Sequence, residues 1–109
     1  MTEARPPMKR MLKLTVRART GDQFEGRNLA DSLLDLYKKQ GIGGATVSQG
    51  IKGYGLRGAA KIDVLGLSVS LPVIIETVGD YEKVERVLGA VKKIVGTNGM
   101  ITLEEVNAF

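Results

Sequence analysis

Gly50-Ile51-Lys52-Gly53-Tyr54-Gly55-Leu56-Arg57-Gly58 is the glycine-dense stretch around which the rest of the chain is arranged. Glycine in such a run serves two needs, backbone at positive φ and close approach of main-chain N–H groups to a ligand. With the cations Lys52 and Arg57 and the aromatic Tyr54, the loop suits a phosphate, although a long turn with no ligand has the same composition. Residues 53–58 also fit the spacing G-x-G-x-x-G. A dinucleotide site, however, needs a helix directly after that loop to receive the pyrophosphate. Residues 59–67 contain Asp63 and Gly66 and no helical apolar stripe, and 109 residues are too few for a two-halved Rossmann domain. The stretch therefore reads as an anion-binding or ligand-closing loop.

Working outward toward the N-terminus, residues 45–51 read as a second strand with mixed faces. Before them, residues 28–40 read as a helix. Asn28 can cap it, Leu29, Leu33, Leu36 and Tyr37 share one face, Lys38 and Lys39 close it, and Gly41 is the natural residue after the cap. Residues 8–18 alternate, with Leu12, Leu14 and Val16 on one side and Lys13, Thr15 and Arg17 on the other, which predicts a first strand with one face on a core. Residues 1–7, with Arg5-Pro6-Pro7, predict a loose tail, and residues 8–109 a single domain.

Toward the C-terminus, a third strand is expected over residues 67–78. Its run Leu71-Pro72-Val73-Ile74-Ile75 is apolar on both faces, so both should be buried. Pro72 lacks a ladder donor and belongs at an edge, at a bulge or early in the strand. Gly79-Asp80 predicts a turn and cap, residues 80–95 a second helix with Val84, Val87, Leu88, Val91 and Val95 on one stripe, and residues 100–106 a last strand. The order βαββαβ predicts an α+β, ferredoxin-like fold, a four-stranded antiparallel sheet with two helices on one face. Two helices cannot cover both faces, so the doubly apolar third strand predicts an oligomer with sheets packed face to face.

Composition narrows the function classes. Net charge is +4, which fits an anionic small ligand and is too small to argue for nucleic acid. Cysteine and histidine are absent, which removes thiolate chemistry and the commonest metal ligand and general base. No metal site and no catalytic residue is expected. No N-terminal stretch resembles a signal peptide and no run approaches membrane-spanning length, so the expected location is cytoplasmic.

Four ordered blocks carry a resemblance. They are Gly41-Ile42-Gly43-Gly44-Ala45-Thr46-Val47, Gly50-Ile51-Lys52-Gly53-Tyr54-Gly55, Leu71-Pro72-Val73-Ile74-Ile75-Glu76, and Gly99-Met100-Ile101-Thr102-Leu103-Glu104-Glu105-Val106. Together they resemble family 190 of the domain-of-unknown-function series, which is similar to the PII signalling proteins. The resemblance implies a PII-like trimer with a mobile T-loop between the second and third strands. It also implies an adenine nucleotide (AMP, ADP or ATP) in a cleft between subunits, held by the base of that loop and by the turn at residues 96–99. A membrane transporter or channel is the partner it suggests. The stretch Gly53-Tyr54-Gly55-Leu56-Arg57-Gly58-Ala59-Ala60-Lys61 departs from the family's loop in its arginines and in Lys61, where the family carries a histidine. The turn Gly96-Thr97-Asn98-Gly99 lacks the lysine-bearing phosphate loop of PII proteins, so triphosphate binding does not carry over residue by residue.

The ligand-binding candidates are Arg17, Arg19, Gly50, Lys52, Gly53, Tyr54, Gly55, Arg57, Gly58, Gly96 and Gly99. Arg57 and Lys52 would neutralise phosphate, with Lys61 close by, and Tyr54 would stack on a base or pack against a neighbouring subunit. Glu76, a charge within an apolar strand, is expected to pair across subunits. The leading expectation is a trimeric nucleotide sensor whose loop orders on binding. The alternative is a CutA-type ion-tolerance protein, or another trimeric ferredoxin-like protein, that binds a different small anion. An enzyme is disfavoured for want of titratable groups in a cleft, and an RNA-recognition module for want of strand aromatics.

Overall fold

Alternation in the first strand translates into burial with one exception, Thr15, which was expected beside Lys13 and Arg17 on the outer side and is buried. Within β1 (Lys9–Arg19), Leu12, Leu14, Val16 and Ala18 are buried, while Arg17 between them is exposed. The computed structural model describes residues 5–55, 58–60 and 70–109, the side chains of 58–60 excepted. Part of the expected tail, residues 1–4, lies outside them.

After β1 the chain makes a small hairpin that the sequence reading missed, β2 (Gln23–Phe24) and β3 (Arg27–Asn28). Its two turn residues, Glu25 and Gly26, take φ of 50° and 78°, as a tight hairpin turn of this length requires. Helix α1 (Leu29–Lys39) follows. The Asn28 side chain accepts a hydrogen bond from the Asp31 N–H at 3.0 Å, the expected cap. At the other end Gly41 takes φ 74°. The Gly41 N–H donates to the Lys38 carbonyl at 3.1 Å and the Ile42 N–H to the Tyr37 carbonyl at 3.0 Å, the paired bonds of a Schellman cap.

β4 (Ala45–Gln49), β5 (Gly53–Gly55) and β6 (Gly58–Ala60) come next. The second strand is thus shorter than the expected 45–51. β5 and β6 pair as a ribbon, with Tyr54 opposite Ala59. β7 (Pro72–Asp80) starts at Pro72, the one position where its missing donor matters least, and runs through Gly79 and Asp80, which were expected to form a turn. Residues 67–69 of that expected strand lie outside the described residues. α2 (Tyr81–Val95) buries Val84, Val87, Val91 and Val95, and Leu88 packs half-buried against the core. Asp80 stands at the cap position, yet its side chain does not cap; its carboxylate is taken by Lys9 at 2.6 Å, with Lys83 at 3.9 Å. β8 (Met100–Ala108) ends the fold two residues later than expected.

The main sheet has the order β4-β7-β1-β8 and is antiparallel throughout. Both helices lie on one face. Leu29, Leu33 and Tyr37 of α1 and the α2 valines meet Leu12, Leu14, Val16, Val73 and Ile75 in a single apolar core. This is the ferredoxin-like βαββαβ architecture. The other face is open in the single chain. There Ile74 and Glu76 are half-buried and Val78 is 40% exposed, so β7 is buried on one face only within its own chain. Glu76 has a partner within its own chain: Lys13 stands 3.2 Å away and also reaches Glu104 at 3.6 Å. The Glu76 hydrogen bond, and then its charge, raise the Lys13 pKa above the ordinary lysine value. Among the described residues no helix is long and apolar enough to cross a membrane.

Candidate functional site

The antiparallel register brings the end of β1 and the starts of β7 and β8 to the same edge of the sheet. Arg17 lies opposite Ile74 on one side and Met100 on the other, and Arg19 lies opposite Pro72. A cavity of about 450 Å³ opens there, within the size range of small-molecule sites. Three separate pieces of chain wall it. β1 contributes Arg17, Ala18 and Arg19; the loop contributes Lys52, Gly53, Tyr54 and Gly55; the turn after α2 contributes Thr97, Asn98 and Gly99. Pro72, Val73, Ile74 and Met100 form an apolar floor.

Its electrostatics are one-sided. The described lining holds three cations and no carboxylate, and among the described residues no ion pair engages Arg17 or Lys52. Arg19 is partly anchored, its Nη1 donating to Ser70 Oγ at 3.4 Å. Tyr54 is 92% exposed and neighbouring Ile51 88% exposed, so a large aromatic surface stands free at the mouth. Thr97 and Asn98 offer a hydroxyl and an amide. Such an arrangement can attract an anion, lay an apolar or aromatic group on the floor or against Tyr54, and read hydroxyls or amides at the turn.

Of the sequence candidates, Arg17, Arg19, Lys52, Gly53, Tyr54, Gly55 and Gly99 come together here. Gly50 and Gly96 are outside the lining. Gly96 ends α2 with φ 56° and ψ −130°, a conformation reserved for glycine. Gly58 pairs with Gly55 in the ribbon. Arg57 and Lys61, and most of the expected T-loop, lie outside the described residues. The sequence reading missed Thr97, Asn98, Pro72 and Met100. The turn is visible in the sequence through Gly96 and Gly99, whereas Thr97 and Asn98 carry no charge or aromatic ring to set them apart.

One of the two reasons expected for the loop glycines, backbone at positive φ, does not hold at positions 50, 53 and 55. Instead a β-carbon on Gly53 would stand 2.9 Å from Pro72 Cγ, and one on Gly50 would stand 3.2 Å from both Cβ and Cγ of that ring. The Gly50 N–H also donates to the Pro72 carbonyl at 2.8 Å. At least two of these glycines are therefore there to seat a proline.

Comparison with known proteins sets this geometry in context. The family model DUF190, described as an uncharacterized ACR, matches residues 11–108. A UPF0166 protein of Methanocaldococcus jannaschii is 42% identical over 96 residues, covering 88% of this chain and 89% of that one. A UPF0166 protein of Aquifex aeolicus is 40% identical over 89 residues, covering 81% and 83%. Among solved structures, CPII of Thiomonas intermedia K12, a nitrogen regulatory PII-like protein bound to ADP, AMP and bicarbonate, superposes with a TM-score of 0.73 at 14% identity, covering 94% of this chain and 91% of that one. A putative PII-like signaling protein of Thermus thermophilus gives 0.58 at 20% identity, covering 93% and 89%. The fold is PII-like.

Proposed function

The chain belongs to DUF190, and from that premise we propose that it is a PII-like signalling protein that binds an adenine nucleotide in the cavity at the end of β1. The observation that carries this reading is the meeting of Arg17, Arg19 and Lys52 with the free ring of Tyr54 around an apolar floor, with no carboxylate in the described lining. Phosphates would lie against the cations, with the arginine forks suited to them. The base would lie against Tyr54 or on the floor. The structural neighbour crystallised with ADP and AMP supports the choice of adenine. Arg57 belongs to the same proposal as a further phosphate contact. The protein acts as a sensor and not as an enzyme, a reading supported by a described lining without carboxylate and a chain without histidine or cysteine.

On this reading the active unit is a cytoplasmic homotrimer, and the open face of the sheet, with Ile74, Val78 and Met100, is where copies meet. The nucleotide would sit where two copies adjoin. Its binding would be signalled through the T-loop, and a membrane transporter or channel would read the signal. A smaller anion without a base is the second reading. It is favoured by the turn at Thr97 and Asn98, which brings polar groups but no charge.

Titration calorimetry with AMP, ADP, ATP, bicarbonate and inorganic phosphate tests both. Heat from at least one nucleotide at protein concentrations of about 100 μM is expected, with Arg17→Ala weakening it roughly tenfold to a hundredfold. No heat from any nucleotide overturns the first reading, and heat from bicarbonate or phosphate alone selects the second. Native mass spectrometry reports the subunit count, and a monomer across micromolar concentrations overturns the trimer.

A further inference from the structure

We propose that Pro72 is a positioning residue, a steric stop that sets the angle at which the loop leaves the sheet and so holds Lys52 and Tyr54 over Arg17 and Arg19. The ring is fixed from behind. Leu71, just before it, is buried and bound to Thr20 both ways: the Thr20 N–H donates to the Leu71 carbonyl at 3.1 Å, and the Leu71 N–H donates to Thr20 Oγ1 at 3.2 Å. Pro72 itself stands opposite Arg19 in the ladder. Its position is thereby tied to the strand that supplies two of the cavity's cations.

In front, the ring meets the loop. Gly50 and Gly53 lie against it so closely that neither has room for an unshifted β-carbon. Proline is the right residue for a stop, because its ring cannot rotate away as a longer side chain would. Glycine is the right residue to meet it, because any side chain would push the loop outward. Gly53 lines the cavity and Lys52 and Tyr54 flank it in sequence, so a push there moves both side chains together. Pro72 therefore acts on the cavity's ligand through the loop.

Gly53→Ala tests this, alone and together with Pro72→Ala. A β-carbon at position 53 collides with Pro72 Cγ at 2.9 Å but would stand 3.8 Å from Pro72 Cβ, an ordinary contact that the alanine at position 72 retains. The double variant should therefore recover what Gly53→Ala loses. One readout needs no ligand: amide chemical shifts and heteronuclear NOEs of residues 51–55, with the β1 amides as the control for folding. The other is the Kd for ADP, which rests on the function proposed above. Gly53→Ala should shift and loosen the loop amides, leave those of Leu12 to Val16 in place, and weaken ADP at least tenfold; the double variant should move both measures back toward wild type. Loop amides unchanged in Gly53→Ala, or a double variant no better than the single one, overturns the proposal. If wild type does not bind ADP, the nucleotide reading fails, and the amide data still decide the role of Pro72.

Discussion

Gly99 lies directly against the backbone of Arg17: a β-carbon at position 99 would overlap the Arg17 carbonyl oxygen. This close approach lets the turn after α2 fold down onto β1 and bring Thr97 and Asn98 to the cavity. It involves backbone on both sides, so neither partner can give way by rotating a side chain. Gly99→Ala should cost about 1–3 kcal/mol, the usual penalty for overpacking. The urea midpoint should fall accordingly, and the amide signals of residues 97–100 should move more than those of α1.

Gly89 presents the opposite case. It sits in the interior of α2, exposed, and among the described residues no atom beyond its own helix backbone comes within 4 Å of the place its β-carbon would occupy. Glycine there loses backbone freedom on folding and gains no packing in return. Gly89→Ala should stabilise the protein by about 0.5–1 kcal/mol. Thermal denaturation at fixed protein concentration checks this, and a lower midpoint would mean that something close-packed in the assembled protein needs the glycine.

Tyr37 is 1% exposed, and among the described residues its hydroxyl has no hydrogen-bond partner. Burial pushes the phenol up to about 12. An unsatisfied buried hydroxyl is a cost that phenylalanine avoids while keeping the ring. Tyr37→Phe should therefore leave stability unchanged or raise it by about 1 kcal/mol, as read from the urea midpoint.

Acid sensitivity follows from two aspartates. A hydrogen bond from Lys9, and then its charge, hold the Asp80 carboxyl below the ordinary 3.8. Arg27 does the same for Asp35, its Nη2 lying 2.7 Å from the carboxylate. A carboxyl whose pKa is lower folded than unfolded adds stability above its unfolded pKa and loses it as the pH falls through the folded one. Stability should decline as the pH drops below about 4. Asp80→Asn should flatten that decline, which urea midpoints across pH 2–6 would measure. Both pairs are exposed, so added salt should shrink the effect.

Much of the fold was legible because burial in this chain follows period. Leu12, Leu14 and Val16 mark a half-buried strand, and Val84, Val87, Val91 and Val95 mark a helix. What the sequence could not show were contacts between residues far apart along it. Asp80 reads as a helix cap until β1 places Lys9 beside it. Glu76 reads as an isolated charge in an apolar strand until the register sets Lys13 within reach. The glycines at 50 and 53 read as a phosphate cradle, since nothing local reveals that the ring of Pro72 will lie against them. The cavity lining was legible in outline through Arg17 and Arg19 at the end of a strand and Lys52 and Tyr54 in a loop, because charge and aromaticity stand out. Thr97 and Asn98 did not stand out, because neutral turn residues look alike whether or not they face a cavity.

The cavity takes its walls from positions near 18, 54, 72 and 98, and so from both βαβ halves of the chain. A fragment holding only one half would lack part of these walls. Occupancy is therefore linked to the cooperative unfolding of the whole domain: a compound present at a hundred times its Kd would add about 2.7 kcal/mol to global stability. In a chain of 109 residues that amounts to a rise in melting temperature of roughly ten degrees. A ligand of the cavity can thus be sought by heating the protein with one metabolite after another.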